Sequence, residues 1–406
     1  MPAHTDCRIC RQPLPEPFVD LGEMPLANAF LTSKDQFQGE RRYPLAAAAC
    51  GQCGLVQLNY VVPPEEMFRQ YPYVSSTSEA VRRWAGELAP RLAKSYGWDS
   101  DHLIVELGSN DGLFLKAFQR CGVKVLGIDP ARNLAALAEA AGVPTVPEFF
   151  SEGLARQLAQ RKGQASGILG RHVFAHIDDL HDFLRGIGIF LRKDGLLFIE
   201  VPYLVNLLEE MEFDTIYHEH LSYVSLRPVS ILCGEFGFQL IDVEEVPLHG
   251  GSVLLTIART GSGREPSERV HSMLQREQPL CHPERLASFR TRLEQWKNDF
   301  EGLSEKLADA KWVGFGAAAK ANTLLNFCPK VARHLSCILD RSPHKQGLFT
   351  PGTHLPVLAP ETWQRDGTTH MLILAWNFKE EIMRQMHSFR EAGGRFIIPI
   401  PTPEVR

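Results

Sequence analysis

No part of the 406-residue sequence is apolar for long enough to cross a bilayer: runs such as Gly195-Leu-Leu-Phe-Ile199 stop far short of the ~20 residues a span needs. The opening Met1-Pro-Ala-His-Thr-Asp6 has neither the basic stretch nor the apolar core of a secretory signal, so the expected compartment is the cytoplasm, with no membrane partner. A basic excess is missing too. Lys and Arg number 43 against 48 Asp and Glu, a net charge of −5, which argues against a dedicated nucleic-acid binder. The nine cysteines are odd in number and mostly scattered, which does not suggest a disulfide framework in a chain without a signal. What is present is globular in character. Hydrophobic residues make up 44% and charged residues 22%, enough for large cores. At about 150 residues per domain the length implies two to three domains.

Four cysteines are organised. Cys7-Arg-Ile-Cys10 and Cys50-Gly-Gln-Cys53 are C-x2-C knuckles, each able to turn two thiolates toward one ion, and two knuckles complete a tetrahedral S4 site. The 39 residues between them are too many for a compact zinc finger and, being rich in Pro and Phe, can hardly build a core alone. A structural zinc would staple that lobe, and four protein ligands leave it no open position for catalysis. Reduced thiol pairs or a redox pair are the alternatives.

Leu103-Ile-Val-Glu-Leu107 reads as a buried strand, Gly108-Ser-Asn-Asp-Gly112 as a loop, and the amphipathic stretch from Leu113 as a helix. Glycines there let backbone approach a ligand at the carboxyl end of a strand. The next strand, Val123–Ile128, ends in Asp129, placed to accept hydrogen bonds from two ribose hydroxyls. The loop departs from the dinucleotide fingerprint. Glu106 precedes it and Asp111 lies inside it; a pyrophosphate would be repelled, whereas a cationic cofactor with an amino-acid tail would not. The pattern resembles the S-adenosylmethionine (SAM) loop of class I methyltransferases, with Glu106, Gly108, Ser109, Asn110, Asp111, Gly112 and Asp129 as cofactor residues. An NAD loop and a purely structural turn are the alternatives. Glu148 and Phe149 follow a third short strand, where an acid and a ring could hold adenine; a core role for the aromatic is the alternative. Strands near 167–169 and 195–202 continue the alternation and imply a parallel sheet with ligands at its carboxyl edge.

Tyr217-His218-Glu219-His220 concentrates four polar groups that a core would strand without partners. Histidine is a natural base near neutral pH, a neighbouring Glu can orient an imidazole, and Tyr can donate to a developing oxyanion. Metal ligation by His218 and His220, or a plain surface helix, are the alternatives. His249-Gly-Gly-Ser252 permits a tight turn beside a ligand, or a hairpin corner. The stretch around 281–310 reads as a long polar connecting helix. Lys311-Trp-Val-Gly-Phe-Gly316-Ala-Ala-Ala-Lys320 is then a second strand, glycine loop and helix, and Cys337-Ile-Leu-Asp340 the matching strand with its acid. Ala319 replaces the third glycine, and Lys320 with the helix start at Asn322 suits a nucleoside diphosphate. His344-Lys345 and Pro351–His354 are candidates for the same pocket. A vestigial fold and an NAD site remain open.

Together with Leu21–Asn28 and Tyr71-Pro-Tyr73-Val-Ser-Ser76, these motifs make the chain resemble, along nearly its whole length, the nucleotide-sugar C-methyltransferases that act at C-3 of 4-keto-6-deoxy sugars. The resemblance implies an α/β protein: a class I SAM methyltransferase Rossmann-like core, a small zinc-binding N-terminal domain and a second Rossmann-like C-terminal domain. The expected bounds are 1–70, 71–300 and 301–406. It implies His220 as the base, Tyr217 and Glu219 in the same site, and a facing tyrosine from the N-terminal side, Tyr73 or else Tyr71. His218, His249, Ser252, Lys320 and Asn322 would contact the nucleotide sugar, a dTDP- or alternatively a GDP-sugar. One departure is Leu254, where a basic residue would be expected. An O-methyltransferase and an NAD-linked oxidoreductase are the rival functions.

Overall fold

The computed structural model describes residues 4–248, 250–365 and 367–406. Its strands in chain order are β1 (Val19–Met24), β2 (Tyr43–Ala49), β3 (Val56–Leu58), β4 (Leu103–Leu107), β5 (Lys124–Ile128), β6 (Thr145–Val146), β7 (Ala165–Arg171), β8 (Leu191–Pro202), β9 (Ser222–Tyr223), β10 (Phe238–Val246), β11 (Ser252–Arg259), β12 (Trp312–Phe315), β13 (Leu335–Leu339), β14 (Val357–Leu358), β15 (His370–Ile373), β16 (Arg395–Ile398) and β17 (Glu404–Val405). They form three sheets.

The first sheet is antiparallel, in the order β1-β2-β3-β9. Strand β2 is mostly alanine, so the sheet has few large side chains to bury. Its last strand comes from far along the chain, immediately after the Tyr-His-Glu-His segment, which is thereby sewn to the N-terminal lobe.

The second sheet has the order β10-β11-β8-β7-β4-β5-β6. All strands run parallel except β11, which lies antiparallel between β8 and β10. Strands β4 and β7 are buried almost without interruption, as a parallel sheet covered on both faces requires. One covering helix, Glu79–Tyr96, is delimited by local chemistry. The Ser78 hydroxyl accepts the Val81 N–H at its start, and Gly97 takes φ 65° at its end. Strand order reverses between β4 and β7, and at such a switch point the loops at the carboxyl ends part to leave a crevice.

The third sheet, β14-β13-β12-β15-β16-β17, is parallel except for β17 and has its own switch point between β12 and β15. The expected connector is the helix Pro283–Lys306. Its Trp296 packs 4.7 Å from Phe213, which in turn lies 5.1 Å from Phe327 of the third unit. Arg8, fully buried, donates to Asp178 at 3.0 Å and to the Leu58 carbonyl at 2.8 Å, tying the first unit to the second. The carboxyl edges of the second and third sheets therefore open on one cavity of about 610 Å³, capped by Asn28, Phe68 and Tyr71. No helix among the described residues is long and apolar enough to cross a membrane.

Candidate active site and cysteine cluster

The two knuckles are the same turn made twice. Arg11 N–H donates to the Cys7 carbonyl at 3.0 Å, and Gly54 N–H to the Cys50 carbonyl at 2.9 Å. Arg11 (φ 59°) and Gly54 (φ 84°) are left-handed, each just after the knuckle's second cysteine. The turns bring all four sulfurs within 4.8 Å of one another, with Cys7–Cys53 and Cys10–Cys50 each at 3.4 Å. A tetrahedral S4 site with ~2.3 Å metal–sulfur bonds has edges of about 3.8 Å, so the cluster fits one ion.

The cofactor half of the cavity is built on β4, β5 and β7. Gly108 (φ 62°) accepts no side chain: a Cβ there would lie 2.2 Å from Val173 Cγ2. The Asp129 carboxylate accepts Asn110 N–H at 2.7 Å and Ala131 N–H at 2.8 Å, which fixes it at the wall with lone pairs to spare. Burial raises its pKa. Glu106 is buried and lifted to about 8 by burial, against the pull of Arg171, and its Oε2 has no partner. Glu148 and Phe149 form the rim, where Arg69 approaches the Glu148 carboxylate at 3.6 Å and the Phe149 ring at 4.6 Å.

The acceptor half centres on His220. Its Nδ1 lies 2.8 Å from the Thr215 carbonyl, which can only accept, so Nδ1 carries the proton. Nε2 is then the basic nitrogen, and it receives the Tyr217 hydroxyl at 2.9 Å. Burial lowers the imidazole pKa to about 4, opposed by the Thr215 carbonyl and helped by the charges of His172 and Lys320. The ring is therefore neutral near pH 7. Glu219 does not orient it, as a neighbouring acid could have done. Its two oxygens instead accept the Tyr71 hydroxyl and the Asn28 amide, each at 2.7 Å. Both tyrosines reach the cavity, but Tyr71 meets Glu219, while Tyr73 lies beside Asn110, whose amide donates to the Tyr73 carbonyl at 3.0 Å.

The third sheet supplies the remaining wall. Lys320 Nζ donates to Asn377 Oδ1 at 3.1 Å and lies 4.3 Å over the Trp376 ring. Lys345 Nζ donates to the Ala317 carbonyl at 2.7 Å. Asp340, the acid expected after β13, accepts Ala317 and Ser342 N–H, both at 2.7 Å, and closes its own loop.

Several expected site residues lie elsewhere. His218 is buried against Tyr43, with Nε2 donating to its carbonyl at 3.3 Å; the segment turns here, His220 N–H donating to the Tyr217 carbonyl at 2.8 Å, and the turn carries the two histidines to different sides. Asp111 accepts Ser76 N–H at 3.2 Å and is off the cavity wall. Gly112 serves the turn instead: its φ of 78° is left-handed, and a Cβ would crowd Val143 at 3.1 Å. Ser252 is buried and donates to the Leu248 carbonyl at 3.1 Å. Asn322, also buried, donates to the Ala27 carbonyl at 2.6 Å and so joins two lobes instead of facing a substrate. His249 lies outside the described residues. Conversely, Arg171, His172, His176 and Asn377 line the cavity although none was expected as a site residue, and so does Asn28, the last residue of the Leu21–Asn28 motif, to which no role was given. Arg171-His-Val-Phe-Ala-His176 follows the strand next to the switch point, a position from which the sequence could have marked them.

A sheet of this topology with a glycine loop after its central strand and an acid after the next defines a class I SAM-dependent methyltransferase, here carrying a four-cysteine lobe and a second doubly wound sheet. Family models match in the same order: "Putative zinc binding domain" over residues 7–68, "Methyltransferase domain" over 77–243 and "C-methyltransferase C-terminal domain" over 247–401. C-methyltransferase NovU of Streptomyces niveus is 37% identical over 98% of this chain and 96% of its own. Ubiquinone biosynthesis O-methyltransferase of Azorhizobium caulinodans is 26% identical over 27% of this chain and 46% of its own. Among solved structures, the magnesium protoporphyrin IX methyltransferase of Synechocystis with bound SAH is 12% identical, covering 45% of this chain and 84% of that one at a TM-score of 0.36. The chain belongs to the C-methyltransferase family that includes NovU, and its activity is SAM-dependent C-methylation.

Proposed function

We propose that the protein methylates C-3 of a nucleotide-linked 4-keto-6-deoxy sugar, with His220 as the base. The observation that carries this reading is the His220 tautomer: Nδ1–H is committed to Thr215, and Nε2 is basic and paired with Tyr217 in the cavity that also holds the Gly108 loop and Lys320. A carbon nucleophile must be made before it can be methylated. A hydrogen beside a carbonyl is removable because the electron pair passes to oxygen as the enolate forms. Nε2 takes that proton, and the Tyr217 hydroxyl, released from Nε2, can donate to the oxyanion. SAM, when bound, supplies the electrophilic methyl for the enolate carbon. Glu219 acts by holding Tyr71 and Asn28, two groups of the cavity wall, in fixed orientations. Lys320 and Lys345 are the cations for a nucleoside diphosphate, dTDP or GDP.

The same reading makes residues 1–70 a zinc-binding domain, 71–300 the methyltransferase domain and 301–406 the nucleotide-sugar domain, with structural zinc on Cys7, Cys10, Cys50 and Cys53. NMR of the product from SAM and a 4-keto-6-deoxy nucleotide sugar tests the chemistry. A methyl singlet on carbon supports it, and an O-methyl signal overturns it.

The cofactor assignment yields a separate expectation. Asp129→Ala removes a fixed acceptor for the ribose and loosens Asn110 with it. SAM affinity should fall about tenfold or more, since bonds to a charged group are worth roughly 1.5–3 kcal/mol. Unchanged calorimetric affinity would remove Asp129 from the cofactor site.

A further inference from the structure

We infer that Trp376 and Asp214 are positioning residues that set the His220 tautomer from the nucleotide side of the cavity. The inference rests on the reading of His220 as the base and adds two residues that do not themselves line the cavity. The imidazole Nδ1–H has one acceptor, the Thr215 carbonyl at 2.8 Å. A neutral imidazole has a single proton to place, so the direction of that carbonyl is what leaves Nε2 bare. Thr215 ends a single 3-10 turn, Phe213–Thr215, whose own bonds are local. Thr215 N–H and its hydroxyl both donate to the Glu212 carbonyl, at 3.1 and 2.6 Å, and Ile216 N–H donates to the Phe213 carbonyl at 2.9 Å. Hydrogen bonds of this type have poor geometry, and one turn of them does not fix its own orientation. Two outside anchors do. Phe213, fully buried, packs between Trp296 and Phe327. Asp214, also fully buried, accepts Trp376 Nε1–H at 2.7 Å.

Phe213 pins the turn at one point, and the Asp214–Trp376 bond supplies the second point that stops rotation about it. The bond is of the strong kind. Burial lifts the Asp214 acid to about 6, against Lys320 and the indole N–H, so the group is a carboxylate at pH 7. Trp376 stands just after β15, at the switch point of the third sheet. The other buried indoles satisfy their N–H on backbone carbonyls: Trp296 on Pro399 at 2.9 Å and Trp312 on Leu307 at 3.3 Å. Trp376 alone of these three holds a carboxylate, one residue from the carbonyl that sets the base. Its ring lies 4.3 Å from Lys320 Nζ, and Asn377 beside it accepts that ammonium at 3.1 Å. An unbroken path of contacts therefore runs from Lys320 through Trp376, Asp214 and Thr215 to His220, joining the cation of the nucleotide half to the base.

Nitrogen NMR of protein carrying 15N-histidine reads the tautomer directly, because protonated and bare ring nitrogens have separate shifts; the His220 signals are those lost in His220→Ala. Wild-type His220 should carry its proton on Nδ1. Trp376→Phe keeps an aromatic face beside Lys320 but removes the donor, and the proton should then divide between the two nitrogens. Solvent exchange of the C-3 hydrogen at saturating nucleotide sugar should slow roughly 10- to 100-fold, the cost of a misplaced catalytic group. The KM for the sugar and the affinity for S-adenosylhomocysteine should stay at wild-type values. Asp214→Ala should behave as Trp376→Phe does. Asp214→Asn, which keeps an acceptor oxygen for the indole, should restore most of the rate and the Nδ1 proton. Wild-type tautomer and exchange rate in Trp376→Phe and Asp214→Ala would overturn the inference, as would an Asp214→Asn protein as impaired as Asp214→Ala. Should Trp376→Phe fail to fold, the two Asp214 variants decide alone. If wild-type His220 carries its proton on Nε2, the base reading itself fails. If it carries it on Nδ1 and the variants do so equally, only the link from Trp376 fails.

Discussion

His220→Ala should fold, bind SAM with wild-type affinity and lose C-methylation by about 100-fold or more, the usual contribution of a positioned base. The fold should survive because the hydrogen bonds of the imidazole run to the Thr215 carbonyl and from the Tyr217 hydroxyl, and neither group belongs to the sulfur cluster or the Gly108 loop. The chemical expectation follows from the tautomer. Nε2 is the ring's basic nitrogen and faces Tyr217 in the shared cavity, and an alanine methyl cannot take a proton in its place. The pH dependence has a definite sign. The imidazole pKa is depressed to about 4, so the basic form is complete above the ordinary value of 6.5 and is lost only as pH falls through about 4. The rate profile should therefore show no inflection near 6.5 from this group. An inflection there that disappears in His220→Ala would mean that the ring is more hydrated than its burial implies.

The second large effect concerns the cysteine cluster. Freshly purified protein should hold about one zinc per chain by elemental analysis, and chelation or Cys50→Ser should unfold the N-terminal lobe. Structural zinc in small domains contributes on the order of 10–16 kcal/mol, far more than the alanine-rich β2 can replace. The damage should reach the active site, because β3 pairs with β9 only two residues beyond His220, and because Asn28 and Tyr71 belong to the cap. Methylation should thus fail on chelation while S-adenosylhomocysteine binding at the Gly108 loop persists. Metal-free protein with an unchanged melting curve would show that the four thiols need no ion.

The parts legible in the sequence were those whose chemistry is local. Two knuckles, a glycine loop after a strand and an acid after the next strand each need a few adjacent residues, and the structure assembles them as their spacing implies. The Tyr-His-Glu-His segment marked the acceptor half, but which way each side chain turned depended on tertiary contacts that the sequence does not reveal. In the fold His218 meets Tyr43 of β2 and His220 lies at the cavity. Asn322 and Ser252 were polar residues in suggestive positions whose bonds turned out to be spoken for by carbonyls of other segments. Arg171, Asn28 and Asn377 were obscure for the opposite reason. Each comes from a different unit, and only the convergence of all three puts them on one wall.

One measurement decides between carbon activation and every rival. In deuterated water, with S-adenosylhomocysteine in place of the methyl donor, NMR of a 4-keto-6-deoxy nucleotide sugar follows the hydrogen at C-3. Wild-type protein should exchange it and His220→Ala should not, because enolisation precedes methyl transfer and needs only the base. Retention of that hydrogen by wild-type protein that nevertheless methylates the sugar would contradict enolisation at C-3, and exchange at the wild-type rate by His220→Ala would pass the role of base to another residue.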